Sequence, residues 1–187
     1  MAIITRETRE TRIRAELDRG EGAGEGAGVG AIATSAPFLD HMLATFARYA
    51  GLRLAISAQG DLRHHLIEDV GITIGAALAA EVPERAARYG DRTIPMDDAL
   101  VHVSLDLGGR PYYRGPLPSA LYDHWMRSFS DHAKATLHIR VLRGRDRHHV
   151  VEAAFKALGL AVRDALVEGE GDAVFSTKGS VKIEARS

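Results

Sequence analysis

His64-His65-Leu66-Ile67-Glu68 and His148-His149-Val150-Val151-Glu152 are two copies of one pattern, and an Asp-His pair stands upstream of each: Asp40-His41 and Asp123-His124. His41 precedes His64 by 23 residues, and His124 precedes His148 by 24. Six of the nine histidines fall inside this duplicated pattern. A repeat of this kind has to be read before any single motif is trusted.

The duplication extends beyond the histidines. Phe46 lies five residues after His41, and Phe129 five after His124. Leu52-Arg53-Leu54-Ala55-Ile56 and Leu137-His138-Ile139-Arg140-Val141 then alternate apolar and polar positions, the period of a strand. After each His-His pair the period becomes that of a helix: Val70, Ile74, Ala77 and Leu78 in one copy, Val151, Phe155, Leu158 and Val162 in the other. Each half therefore reads helix, strand, helix, with histidines at both helix starts. The halves are expected at 1–90 and 91–187, together one compact unit.

A chain of 187 residues with 45% hydrophobic content has enough apolar matter for one good core or two small ones. Lysine and arginine total 24 against 25 acidic residues, so no basic excess argues for nucleic acid or an anionic membrane. A small-molecule partner is the expectation. The absence of cysteine excludes disulfides and thiolate metal sites. Charges at Arg6 and Glu7 interrupt any apolar signal region at the start, and the run from Val70 to Ala80 is too short to span a bilayer. A soluble, cytoplasmic protein is expected.

Along the chain, Thr5 to Asp18 reads as a strand with one wet face, and the glycine cluster from Gly20 to Gly30 as a turn or hairpin tip. No Gly-Lys-Ser/Thr follows the cluster, which argues against a phosphate loop. Pro37 suits the first turn of the first histidine helix. Glu81 to Pro95 reads as a connector. Val101, Val103, Leu105 and Leu107 mark a half-buried strand, ended by a turn at Gly108-Gly109. A Pro-rich passage from Pro111 to Pro118 leads to the next helix, and the chain from Gly169 onward is polar.

Positions i and i+4 share a helix face, so His64 with Glu68, and His148 with Glu152, are placed to chelate one ion each. His65 and His149 point about 100° away and are expected to serve a different ion. Each ion would then take a His/Glu pair from one repeat and single histidines from elsewhere. Imidazole and carboxylate donors without sulfur suit Mn²⁺, Fe²⁺ or Zn²⁺. Asp40 and Asp123 read as groups behind the ligands or as helix caps. His102, His132 and His138 lack this context and read as strand-face or helix-surface residues.

Phe38-Leu39-Asp40-His41-Met42-Leu43, the two His-His-x-x-Glu helices, Pro95-Met96-Asp97-Asp98-Ala99-Leu100, Ser104 to Tyr112 and Ser176-Thr177-Lys178-Gly179 occur in an order that closely resembles the imidazoleglycerol-phosphate dehydratase family. The resemblance runs over nearly the whole chain. It implies an α+β fold of two similar halves, each a four-stranded sheet backed by helices in the manner of ribosomal protein S5 domain 2, and a homo-oligomer of 24 subunits with sites at subunit interfaces. It implies two manganese ions per site, one on His41, His65, His148 and Glu152, the other on His64, Glu68, His124 and His149. Arg88, Arg110, Ser176, Thr177 and Lys178, with His41 and Glu10, match its substrate contacts, the basic groups gripping phosphate. Glu10, Glu68 and Glu152 are the implied catalytic carboxylates, with Glu10 placed for proton transfer. The implied reaction removes water from D-erythro-imidazole-glycerol phosphate to give imidazole-acetol phosphate in histidine biosynthesis, with the metals as Lewis acids and template.

The chain departs from the family pattern in places. Asp61-Leu62-Arg63 leads directly to His64 where relatives carry a longer Asp-Asp-His-His-Thr stretch, so the connection is shorter and Leu66 replaces the threonine. Ala44, Thr45 and Tyr49 replace an Asp-Gln pair and a further histidine, and part of the loop between Arg110 and His124 is missing. Two other functions use the same ligands: a two-metal hydrolase of a phosphorylated metabolite, and a non-catalytic metal-binding shell. The basic residues favour a phosphorylated ligand over the shell.

Overall fold

The computed structural model describes residues 1–20 and 30–169. In the first half β1 (Ala2–Glu7) and β2 (Thr11–Asp18) form a hairpin, followed by β3 (Ile32–Ala33), α1 (Pro37–Ala50), β4 (Arg53–Gly60) and α2 (Arg63–Glu81). The second half repeats this order: β5 (Tyr89–Met96), β6 (Ala99–Asp106), β7 (Tyr112–Arg114), α3 (Ala120–His132), β8 (Thr136–Arg143) and α4 (Arg147–Ala165). The sheets have the matching orders β1-β2-β4-β3 and β5-β6-β8-β7. Only β3 and β7 run parallel to their neighbours. This is the α+β architecture of two four-stranded, helix-backed sheets that the resemblance implies.

The histidine helices and the strands after α1 and α3 lie where periodicity puts them, but three readings need correction. Thr5 to Asp18 is two strands, because Thr8 turns the chain: its hydroxyl accepts from the backbone N–H groups of Glu10 and Thr11 at 3.1 and 3.0 Å. The connector from Glu81 to Pro95 contains most of β5, and Pro95 is tolerated there because β5 is an edge strand. The Pro-rich passage contains β7, a three-residue edge too short to show a period. The glycine cluster between positions 21 and 29 and the tail beyond 169 lie outside the described residues.

Packing crosses between the halves. α2 lies against β1 and β2 and α4 against β5 and β6, while α1 packs on α4 and α3 on α2. Phe46 of the first half meets Phe129 and Trp125 of the second at ring separations of 5.8 and 6.5 Å, and Trp125 lies 4.7 Å from Phe155. All four rings are fully buried, and the buried side chains of both halves form one continuous core. Burial of each contributes roughly 1.5–3 kcal/mol. The close helix approach needs glycine at matching positions: a Cβ on Gly75 would lie 2.5 Å from the Phe129 carbonyl oxygen, and one on Gly159 2.8 Å from that of Phe46.

Candidate metal centres

Crossed packing places each upstream histidine over the opposite half's His/Glu pair. His148 Nε2 and His41 Nε2 lie 3.1 and 3.3 Å from Glu152 Oε2. In the matching arrangement His64 Nε2 lies 3.5 Å from Glu68 Oε2, and His124 Nε2 lies 3.3 Å from Glu68 Oε1. Each trio offers two imidazole nitrogens and a carboxylate within 4.8 Å of one another. Neighbouring ligands about 2.1 Å from one ion lie about 3.0 Å apart in octahedral and about 3.4 Å apart in tetrahedral coordination. The observed spacings fit a divalent cation in either trio.

The trios differ in their surroundings. Glu152 is buried, with Lys156 Nζ 3.0 Å from its Oε1, whereas Glu68 is half-exposed. Burial pushes the Glu152 carboxyl up, but Lys156 and His41 outweigh it and the net shift is downward. Lys156 Nζ also lies 5.9 Å from the centre of the Tyr49 ring. Sequence reasoning assigned Lys156 no role, although its place one turn after Glu152 is the signal that finds it.

His65 and His149 stand outside both trios. His65 Nδ1 lies 2.9 Å from Asp61 Oδ1 and 3.5 Å from Glu10 Oε2. His149 Nδ1 lies 2.7 Å from Asp98 Oδ1, and its Nε2 lies 3.4 Å from Asp97 Oδ2. Both imidazoles are shifted upward, first by these Asp hydrogen bonds. A carboxylate on Nδ1 fixes the ring and leaves Nε2 as the ligating nitrogen, the arrangement of a metal-ligating histidine supported from behind; in His149 that Nε2 faces Asp97. Asp61 stands four positions before His65. Asp98, which also accepts from the backbone N–H groups of Arg145 and Asp146, has no local sequence signal because it is 51 positions from His149.

Asp40 and Asp123 neither join the trios nor cap their helices. Asp40 Oδ1 accepts from the Thr34 backbone and hydroxyl at 2.8 and 2.6 Å. Asp123 Oδ1 accepts from the Leu117 N–H at 2.9 Å and the Tyr113 hydroxyl at 2.5 Å. Both fasten the preceding loop to the helix that carries the next histidine. His102 is half-buried on β6, where Thr93 Oγ1 lies 2.8 Å from its Nδ1, and His132 and His138 are exposed.

The basic residues lie elsewhere. Arg88 donates to both carboxylate oxygens of Asp106 at 3.0 and 3.3 Å and through Nε to the Leu107 carbonyl at 3.1 Å. A side chain at 109 would meet its Nη2 at 3.5 Å, so the guanidinium flanks the turn that leads to Arg110, which is exposed. Arg88 N–H bonds the carbonyl of Ala165, at the far end of α4 from His148. Seventeen residues of helix separate these points by about 25 Å. Gly169 N–H donates to the Arg85 carbonyl, and Ser176, Thr177 and Lys178 lie outside the described residues.

A family model described as imidazoleglycerol-phosphate dehydratase matches residues 34–162. The curated imidazoleglycerol-phosphate dehydratase of Pyrobaculum calidifontis is 45% identical, the alignment covering 95% of this chain and 98% of the relative. That of Methanoculleus marisnigri is 44% identical over 95% and 97%. A crystal structure of the Pyrococcus furiosus protein in complex with (S)-C348 superposes with a TM-score of 0.83 at 42% identity, covering 95% of this chain and all of that one. The Staphylococcus aureus structure gives 0.75 at 33% identity, over 90% and 100%. With a family model matched over residues 34–162 and similarity running nearly the full length of both chains, the chain belongs to the imidazoleglycerol-phosphate dehydratase family.

Proposed function

We propose that the chain removes water from D-erythro-imidazole-glycerol phosphate, giving imidazole-acetol phosphate in histidine biosynthesis, with two manganese ions per active site. The pair of His/His/Glu trios carries this reading, because two divalent cations brought together would suit the two nitrogens of an azole. Bound metal would supply Lewis acidity and a template. His41, His148 and Glu152 would hold one ion and His64, Glu68 and His124 the other, with His65 and His149 as the respective fourth ligands. Glu10, exposed beside His65, would move a proton at the substrate carbon or the leaving hydroxyl. Arg88, Arg110, Ser176, Thr177 and Lys178 would hold the phosphate.

The distances support assembly. Within one chain the His41/His148/Glu152 trio sits at the N-terminal end of α4 and the Arg88 backbone about 25 Å away at its C-terminal end, too far for one small substrate to touch both. His65 and His149 stand outside the trios they would complete. A homo-oligomer, 24 subunits in the family reading, with a second copy supplying the missing groups satisfies both requirements. Among the described residues no helix is long and apolar enough to cross a membrane.

Purified protein incubated with Mn²⁺ and imidazole-glycerol phosphate should yield the enol or ketone product with phosphate retained. Release of inorganic phosphate would make it a two-metal hydrolase, and no turnover with metal bound would make it a metal-binding shell.

A further inference from the structure

Glu10 ends the turn between β1 and β2, and that turn is tied to α2 by a buried polar network. Arg6 Nη2 donates to Asp69 Oδ1 at 3.0 Å, and the Thr11 hydroxyl donates to Asp69 Oδ2. Thr11 and Asp69 are 4% and 7% exposed. With its one proton given to Asp69, the Thr11 oxygen can only accept from the Thr8 hydroxyl, 3.1 Å away. Thr8 Oγ1 in turn accepts from the backbone N–H groups of Glu10 and Thr11. The bonds therefore run in one direction, from the Glu10 N–H through two hydroxyls to a carboxylate on α2. On its other side the Glu10 carbonyl accepts from the Asp61 N–H at 3.0 Å. The backbone of Glu10 is held at both ends, yet its carboxylate has no hydrogen bond among the described residues, only the 3.5 Å approach of His65.

The duplication supplies a control. Arg6 faces Ile13, the third residue of β2, and Ile94 faces Val101, the third of β6. Thr11 and Ala99 each open their strand, and Asp69 and Ala153 each follow the glutamate of a trio. Position by position, the second half puts Ile94, Ala99 and Ala153 in place of Arg6, Thr11 and Asp69, and all three join the apolar core or pack on it. The repeat thus folds without the network. Apolar replacements for a buried ion pair are often as stable as the pair or more so, and stability alone does not account for the polar version. What sets the first half apart is the residue before its second strand. Glu10 stands there with a free carboxylate, where the second half has Asp98, whose carboxylate is bound to the Arg145 and Asp146 N–H groups and to His149.

We infer that Asp69, Thr11 and Thr8, anchored by Arg6, are positioning residues for Glu10. They fix its backbone to α2, the helix that carries His65 and Glu68, and leave the carboxylate free at a set place beside them. This rests on the reading of Glu10 as the group that moves a proton. Misplacing a reacting group by about 1 Å can cost about 100-fold in rate, which is the demand such a network meets.

The test is steady-state dehydration of imidazole-glycerol phosphate by the manganese-loaded, assembled protein, with amide hydrogen exchange of the 8–11 turn followed on the same samples. Thr11→Val should lower kcat about 10–100-fold with KM within about twofold of wild type, because the reacting group and not the binding groups has moved. Exchange of the turn amides should quicken about tenfold, as for the loss of one hydrogen bond. Thr8→Val, at an exposed position where loss of fold is not expected, should do the same, and Thr11→Ser should restore both readouts. In a Glu10→Gln background Thr11→Val should cost nothing further. Wild-type kcat, or wild-type exchange, in both valine variants would overturn the inference. So would a loss that multiplies onto that of Glu10→Gln or follows a fall in bound manganese, which would make the network a support of the helix and its metal. Glu10→Gln alone separates the two failures: near-normal turnover there sinks the proton-transfer reading and the positioning with it, whereas a slow Glu10→Gln beside wild-type valine variants sinks the positioning alone.

Discussion

Glu152 and His41 come from opposite halves of the chain, yet Glu152 Oε2 and His41 Nε2 lie 3.3 Å apart. The mirrored contact, His124 Nε2 to Glu68 Oε1, is also 3.3 Å. Neither half can build a trio alone, because the helix that brings the upstream histidine packs on the other half's long helix. The duplication is thus functional only as an exchanged pair.

Completion by a second copy predicts complementation. His41→Ala and His65→Ala should each be inactive as pure oligomers, one lacking a trio ligand and the other the fourth ligand of the same ion. Dissociated, mixed in equal amounts and reassembled, they should recover about a quarter of wild-type activity, since random pairing leaves that share of interfaces with both histidines intact. Turnover of the mixture against each parent is the measurement. A mixture as inactive as its parents would place His41 and His65 in a single chain's site.

Lys156 and Glu152, 19% and 9% exposed, form a largely buried pair. Lys156→Met should destabilise the metal-free protein by about 1–3 kcal/mol, because Glu152 loses its main compensating charge. Manganese should narrow that deficit by supplying positive charge at the same carboxylate. Thermal unfolding with chelator and with metal, at one protein concentration, reads the difference; an equal deficit in both would separate Lys156 from the metal centre.

At Gly75 a methyl group would meet the Phe129 carbonyl at 2.5 Å. Gly75→Ala should cost about 1–3 kcal/mol despite alanine's better helix propensity, since backbone, not a flexible side chain, must move. α3 moves with it, carrying His124 away from Glu68. Metal bound per chain and the unfolding midpoint should both fall. Full metal content with an unchanged midpoint would show that the helices accommodate the methyl group freely.

Burial, reinforced by its bond to Asp123, pushes the Tyr113 phenol above its ordinary range. A group raised on folding contributes stability fully below its unfolded value, about pH 10, and loses it as pH climbs from there toward the folded value. Tyr113→Phe should therefore cost about 2 kcal/mol at neutral pH, the worth of a hydrogen bond to a charged group. Above about pH 10 the gap from wild type should close. Urea midpoints from pH 7 to 11 test this; a constant gap would exclude linked ionisation.

The sequence by itself determined the repeat, the strand after each first helix, the four helices and the chelating i,i+4 pairs, because each depends on neighbours within one or two turns. Edge strands β3 and β7 escaped because two or three residues carry no period, and β5 was masked by Pro95, which an edge position permits. Lys156 was open to the same one-turn rule that found Glu152. Spacing left open whether His41 meets Glu152 or Glu68, a grouping that only the resemblance implied, and only the tertiary structure decided that Asp98 supports His149 across 51 positions and that Arg88 lies at the opposite end of α4 from the histidines. Those relationships follow from how whole helices cross, and crossing depends on the summed packing of Phe46, Trp125, Phe129 and the facing glycines, which no local spacing encodes.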